Sequence, residues 1–315
     1  MTPEELVAEK AMLYDRIMVG QTAQEIANKA IICRYVDATN DGELDKFDLF
    51  VDPNYVENEP IPGQGMGIEE LKKAYKTFNE PFPDLGYIFA DIIAEGDIVF
   101  GRGIISGTQK GSFLGVPPTN KRIHWTGTRL FRLKDLQVKE GWFSADMMGM
   151  MQQMGVIPTP PGPDPSTIPP GRHITGAPSG REANKALMRR FIEEVWNQGN
   201  LDVADELFHP EHTSPSAPTL PPGPAGTKMI ATMFRTAFPD FHMEITHIAG
   251  EADRVAARFV ETGTHTGEFF GMPATGKSVK FSEMGILRIA DGKIVESWYD
   301  VDMLGLMGQL GVGAR

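Results

Sequence analysis

The side chains in this sequence that can hold or move a proton are carboxylates, tyrosines, seven histidines and one cysteine, Cys33. A single thiol excludes a disulfide framework, a cysteine zinc site and a CxxC redox pair. His209 and His212 stand three apart in HPEH, too few ligands for a metal without a third. His265 lies in GTHTG, where an imidazole at a strand end could shuttle a proton near neutral pH. Arg129 sits in an aromatic-rich run and is a permanent cation, able to bind a carboxylate, enolate or phenolate. The alternative for Arg129 is an ion pair with an acidic neighbour such as Glu140. No GxGxxG between strand and helix, Walker loop, HExxH or GxSxG occurs. The chemistry on offer is therefore acid/base work by Glu, Tyr, His and Arg.

The elements that must position these groups come in two copies. GTQKGSFLGVPPTNK (107–121) returns as GTHTGEFFGMPATGK (263–277), 156 positions later. The same offset joins Phe82-Pro83-Asp84 to Phe238-Pro239-Asp240, Asn28-Lys29-Ala30 to Asn184-Lys185-Ala186, Trp142 to Trp298 and Asp146 to Asp302. A register kept over most of each half marks a tandem duplication. Residues 1–27 read as an N-terminal helical extension, capped by Thr2, Pro3 and Glu5. Domain 1 covers 28–156 and domain 2 covers 181–315. The stretch 157–180 is a proline-rich spacer, whose prolines exclude helix and interior strand. Each copy reads as three helices, four strands and a closing helix. In copy 1 the helices fall at 28–39, 44–50 and 68–80. In copy 2 they fall at 182–197, 201–208 and 225–237, and the strands at 243–248, 255–263, 279–289 and 293–300. The last two strands turn at Asp291-Gly292. Helices followed by an antiparallel meander give an α+β fold whose sheet must curl around them.

These motifs, in this order, resemble the SnoaL-like polyketide cyclase (ester cyclase) family of the nuclear transport factor 2-like superfamily. NKALMRRFIEEVWNQGNLDVADELFHP, AFPDF, GTHTGEFFGMPATGK and LRIADGKIVESW carry the resemblance in copy 2. FPDL, GTQKGSFLGVPPTNK and VKEGWF carry it more loosely in copy 1. The resemblance implies two tandem cone-shaped α+β barrels, each a curved antiparallel sheet around helices, with an apolar pocket between sheet and long helix. It also implies chemistry by proton movement without coenzyme or metal.

In that family an Asp on the last strand acts with a His on the strand before it. Aligned on Asp291-Gly292-Lys293-Ile294, the Asp position falls on Tyr299 and Phe143, and the His position on Gly285 and Arg129. Both copies depart from the pair. If these positions face inward, strand alternation turns Phe281, Glu283, Leu287 and Ser297 inward too, with Trp125 and Phe131 in copy 1. Glu283 would then be a carboxyl in an apolar pocket, with its pKa raised toward that of a general base. Tyr299 could donate a hydrogen bond to a developing oxyanion. Alternatively Glu283 pairs with Arg258 or solvent, and Tyr299 is a core aromatic. Tyr55, Asn58 and His212, after the second helix, join Trp125, Phe143 and Phe281 as expected substrate-binding residues.

The expected function is a cofactor-independent enzyme working by general acid/base catalysis on a hydrophobic aromatic or polyketide-like molecule, as a cyclase, isomerase, dehydratase or lyase. The rival is a non-catalytic small-molecule-binding or protein-interaction module of the same fold. The 30 Lys+Arg against 42 Asp+Glu argue against nucleic-acid and anionic-membrane partners. With no basic–apolar leader and no spanning apolar run, a cytoplasmic protein is expected. The copies are expected to pack as an intramolecular pseudo-dimer, with further homo-oligomerisation open.

Overall fold

A computed structural model of the chain describes residues 22–61, 63–157, 174–177 and 179–311. The chain divides into two compact units, Met1–Thr159 and Pro160–Arg315. The expected extension helix lies almost wholly outside the described residues, as does most of the proline-rich spacer. Among the described residues no helix is long and apolar enough to cross a membrane.

Unit 1 runs α1 (Ala23–Asn40), a 3-10 turn (Leu44–Leu49), β1 (Val51–Glu57), α2 (Ile68–Asn79), β2 (Gly86–Glu95), β3 (Ile98–Thr108), β4 (Arg122–Lys134), β5 (Gln137–Ala145) and α3 (Met147–Met154). Unit 2 repeats this order. α4 (Arg181–Arg190) continues as a π-helical segment, Phe191–Asn197, and is followed by α5 (Val203–Leu207), β6 (Phe208–Thr213), α6 (Pro224–Ala237), β7 (His242–Glu251), β8 (Arg254–Thr264), β9 (Ser278–Ala290), β10 (Lys293–Val301) and α7 (Met303–Leu310).

Each sheet has five strands, in the orders β1-β5-β4-β3-β2 and β6-β10-β9-β8-β7. The fifth strand corrects the expected four. β1 and β6 pair parallel to β5 and β10, so the sheets are mixed rather than purely antiparallel. Asp52-Pro53 and His209-Pro210 read as breaks, but both strands lie at sheet edges, where a missing proline N–H costs no ladder bond. The first helix also starts earlier than the expected residue 28. Thr22 Oγ1 accepts from Glu25 N at 3.2 Å and Glu25 Oε2 accepts from Thr22 N at 3.0 Å, a capping box that opens α1 at Ala23.

The helices fill the concave face of each sheet. In unit 1, Ile32, Tyr35 and Val36 of α1 pack with Leu71 of α2 against Val99, Phe131 and Val138. In unit 2, Met188, Ile192 and Phe234 pack against Val255, Phe259 and Leu287.

The repeated motifs are paired fastenings. Asn28 Nδ2 donates to Gly96 O and Asn184 Nδ2 to Ala252 O, both at 3.0 Å, tying each first helix to a hairpin turn. Asp84 accepts from the Thr108 N–H and hydroxyl at 2.6 and 2.8 Å. Asp240 accepts from Thr264 at the same two distances, 2.6 and 2.8 Å. The FPD and GT motifs of each copy thus meet in one clamp. Asp146 and Asp302 cap the closing helices through Gly149 N and Gly305 N, both at 2.8 Å. The far end of the spacer is laced to unit 2, with Ile174 O accepting from Arg288 Nη1 at 2.8 Å and Ala177 N donating to Asp291 Oδ1 at 2.9 Å.

The Thr264 N–H bond, then its hydroxyl, holds the Asp240 carboxyl below its ordinary 3.8. Asp240→Ala is expected to cost about 1 kcal/mol near pH 7. A depressed carboxyl stabilises fully above its ordinary value and loses that contribution as pH falls through the folded value. Urea midpoints of wild type and variant should therefore differ at pH 7 and converge toward pH 2.

Candidate functional site

Unit 1 encloses a cavity of about 120 Å³ between the concave sheet face and helices α1 and α2. Ile105, Trp125, Phe131 and Phe143 supply the sheet wall, and Tyr75 and Phe78 the helix wall. Arg129 is the cation in this lining. It stands directly opposite Phe143 in the β4–β5 register. Its guanidinium carbon lies 4.8 Å from the Phe143 ring centroid, 5.6 Å from Tyr75 and 6.0 Å from Phe131.

Arg129 pairs with Glu57, not with Glu140, which binds Arg132 at 3.4 Å. Arg129 Nη1 is 3.2 Å from Glu57 Oε2, and the same oxygen accepts from the Tyr55 hydroxyl at 2.9 Å. Glu57 Oε1 is buried and has no hydrogen-bond partner among the described residues. The Glu57 side chain is only 5% exposed and that of Arg129 16%, so the pair interacts across a poorly screened space. Burial opposes the Arg129 charge, but Tyr75, Tyr35, Glu57 and Tyr55 outweigh it and hold the guanidinium above its ordinary value. Burial, then the charged or phenolic neighbours, pushes Tyr35 and Tyr55 well up, so both stay neutral. Two glycines make room. A Cβ at Gly141 would overlap the Tyr55 hydroxyl, and one at Gly127 would sit 2.9 Å from the Phe143 ring.

Trp125 and Phe143 thus lie where expected, in the lining. Tyr55 sits beneath, reaching the cavity through Glu57. Asn58 is exposed and lies outside the lining, because its N and Nδ2 both bond Gly141 O, at 2.8 and 3.3 Å, fastening the end of β1 to β5.

Unit 2 carries a different inner face. Glu283 and Tyr299 share it with Phe281, Leu287 and Ser297, as alternation required. Arg258 does not reach Glu283. The register sets Arg258 against Met284 and Phe259 against Glu283, so Arg258 points to the reverse face. The neighbour of Glu283 is Glu261, 1% exposed and hydrogen-bonded to it. Burial, with the Glu283 charge second, lifts Glu261 well above its ordinary range. Burial also lifts Glu283 to about 7, against the pull of the Glu261 hydrogen bond and with the push of Asp300. The two carboxyls share a proton near neutrality. Burial and then the Glu283 charge raise the Tyr299 phenol, so it stays neutral. Its ring lies over Gly285, where a Cβ would stand 2.7 Å from two ring carbons.

His212 is buried, edge-on to Phe208 at 4.8 Å, with Nε2 2.9 Å from Ser297 Oγ. Burial drops its pKa to about 4, so it is neutral. His265 stands apart, in the loop after β8. Its Nδ1 accepts from Thr275 N at 3.2 Å and touches Thr275 Oγ1 at 3.0 Å, and its ring lies 5.2 Å from Phe238. Gln109 laces the matching loop of unit 1, its Oε1 accepting from the Thr119 hydroxyl at 2.7 Å. Phe281 is buried in the unit 2 core. Glu57 and Glu261 escaped the sequence reading, although each continues an inward alternation, after Tyr55 and after Phe259. No cluster of three or more His, Cys, Asp or Glu among the described residues could hold a metal.

The family model described as SnoaL-like polyketide cyclase matches residues 29–154 and 186–310. Aklanonic acid methyl ester cyclase DnrD of Streptomyces peucetius is 33% identical over 129 residues, 40% of this chain and 88% of that protein. Nogalonic acid methyl ester cyclase of Streptomyces nogalater is 29% identical over 120 residues, 37% of this chain and 90% of that protein. The solved structure of TsrD from Streptomyces laurentii aligns with 42% of this chain and 96% of its own at 26% identity, with a TM-score of 0.39.

Glu283 and His212 make unit 2 pH-dependent with opposite signs. A raised carboxyl stabilises below its ordinary 4.5 and loses that contribution as pH climbs through about 7. His212 contributes above its ordinary 6.5 and loses this as pH falls toward about 4. Urea midpoints from pH 4 to 9 should show Glu283→Gln flattening the alkaline decline and leaving the acid limb in place.

Proposed function

As the chain belongs to the SnoaL-like polyketide cyclase family, we propose that it is a cofactor-free cyclase-type enzyme whose first unit binds a hydrophobic, aromatic polyketide-like molecule and moves a proton beside one of its carbonyls. The observation that carries this reading is the buried Arg129–Glu57 pair in an aromatic cavity, with Glu57 Oε1 lacking a partner. Arg129 occupies the position of the family's strand histidine, so a fixed positive charge stands where an imidazole is expected.

In this mechanism Glu57 takes a proton from the carbon next to a carbonyl, and Arg129 stabilises the enolate oxygen. The enolate carbon then attacks a second carbonyl of the same molecule. The new alkoxide recovers the proton from Glu57, and the ring is closed with no atom gained or lost. Tyr55, donating to Glu57 Oε2, keeps the carboxylate in place. The apolar walls exclude water, which strengthens both charges in the low-dielectric site. About 120 Å³ is close to, and a little below, the roughly 150 Å³ of a void that holds benzene, so the cavity takes about one unsubstituted aromatic ring. A larger polyketide would leave its remaining rings at the mouth.

The names of the relatives supply the first substrates to try, aklanonic acid methyl ester and nogalonic acid methyl ester. Turnover is followed as loss of the open-chain ester and gain of the cyclised isomer of equal mass. Glu57→Gln should lower kcat about 10²–10⁴-fold with little change in KM. Arg129→Gln should lower kcat on the order of 10²-fold, as expected for loss of oxyanion stabilisation. Tight binding of either ester without turnover by the wild type would instead favour a binding module.

A further inference from the structure

Between Asn184 and Gly199 unit 2 carries one residue more than unit 1 carries between Asn28 and Gly42. An α-helix takes in an extra residue only where a turn widens. The π-helical segment Phe191–Asn197 is that wide turn, with Gln198 N donating to Glu193 O, five residues back, at 3.0 Å. It absorbs the insertion, so the chain beyond it keeps its place. Asn40 clasps the Tyr87 backbone through two bonds of 2.8 Å. Asn197 clasps Met243, the matching residue, at 3.1 and 2.8 Å. At the end of the wide turn the Trp196 and Asn197 carbonyls accept from Arg235 Nη1, at 2.8 and 3.0 Å.

The bulge sets Trp196 at the position that Thr39 holds in unit 1, next to the clasping asparagine. Thr39 lines the unit 1 cavity together with Tyr35, Phe78 and Leu85. Trp196 packs on the unit 2 counterparts of those three. Its ring centroid lies 6.4 Å from Phe191, 6.0 Å from Phe234 and 5.6 Å from Phe241. A small hydroxyl side chain in the cavity wall has thus given way to an indole set among the wall's own residues. The Trp196 side chain is half-buried, as a stopper at a pocket edge would be.

We propose that Trp196 is the built-in occupant of a second aromatic pocket: unit 2 keeps the hollow of unit 1 and holds it shut with its own indole. This rests on the reading of the unit 1 cavity as a ligand site. The ligand class follows from the stopper, whose flat neutral rings meet three phenylalanines. A planar, neutral aromatic molecule fits the space that Trp196 leaves. Edge-on and tilted aromatic pairs attract beyond their burial. An intramolecular ring also acts at high effective concentration, so a free ligand competes poorly with it. Ligand binding is thereby directed to unit 1.

The probe is indole, counted per chain by equilibrium dialysis. The increment over wild type tests the proposal, whatever the wild-type total. Trp196→Ala should take up one more indole per chain than wild type. A variant lacking residue 196 altogether should fold and gain the same increment, because it returns the helix to the length it has in unit 1. Trp298→Ala removes a tryptophan from the reverse face of the same sheet, since Tyr299 is the inward neighbour, and should add none. No increment in either Trp196 variant, or an equal one in Trp298→Ala, would overturn the proposal. If wild type binds neither ester while the Trp196 variants gain indole, the reading of unit 1 falls and this one stands.

Discussion

An ionisable group carried into the apolar hollow of a curled sheet must be paired, neutralised or moved out, because the surroundings give back little of its lost hydration. The interior of each unit is arranged around this constraint. In unit 1 the solution is a salt bridge. Arg129 is matched by Glu57, which is itself steadied by Tyr55, and three aromatic rings surround the guanidinium. In unit 2 the solution is a proton. Glu261 and Glu283 face one another, and one of them must be uncharged near neutrality. His212, also buried, stays neutral. The same hollow thus holds a fixed charge in one copy and a movable one in the other.

The exchange between these solutions is made by glycines. Inner-face positions two apart on the third long strand read Gly127 and Arg129 in unit 1, and Glu283 and Gly285 in unit 2. The aromatic ring from the last strand needs a bare backbone to lie on. Phe143 lies over Gly127, which leaves position 129 free for a long cation stacked beside the ring. Tyr299 lies over Gly285, which leaves 283 free for a carboxyl beside the phenol. Moving the glycine by two residues turns the ring and carries the polar group to the other side of it. No change in strand pairing is needed, since the register is the same in both sheets.

Much of this was legible in the sequence, for identifiable reasons. Repetition singled out Asn28/Asn184, Asp84/Asp240 with their threonines, and Asp146/Asp302. All prove to be backbone fastenings whose partners also repeat. Two-residue alternation placed Glu283, Ser297 and Tyr299 on one face, because side-chain direction in a strand depends only on parity. What stayed hidden depends on long-range pairing. β1 and β6 contain prolines and look like loops until an edge position in the sheet makes them strands. With β1 hidden, Glu57 had no face to belong to, and Arg129 was offered a wrong partner on the next strand. Glu261 has a readable parity, but its meeting with Glu283 rests on the β8–β9 register, which depends on where two hairpins close. His265 lies buried in the loop after β8, where its Nδ1 is laced as Gln109 is in unit 1 and its Nε2 has no hydrogen-bond partner among the described residues.

A scaffold that carries strained interiors must be held elsewhere. The fastenings sit at the ends of strands and helices, away from the inner faces where the two units differ. They tie the first helix to one hairpin, the loop before β2 or β7 to the end of β3 or β8, and the closing helix to its own cap. Each includes a hydrogen bond to backbone, so its worth does not depend on which side chains fill the hollow. This separation explains why a duplicated domain can exchange Arg129 for Gly285 and Gly127 for Glu283 without changing its strand order. The stability of the frame is local and repeated, whereas the chemistry of the hollow is set by a few inward positions. In such a fold the comparison between copies is itself informative: positions alike in both hold the frame, and inward polar positions that differ mark where the chemistry has been rewritten.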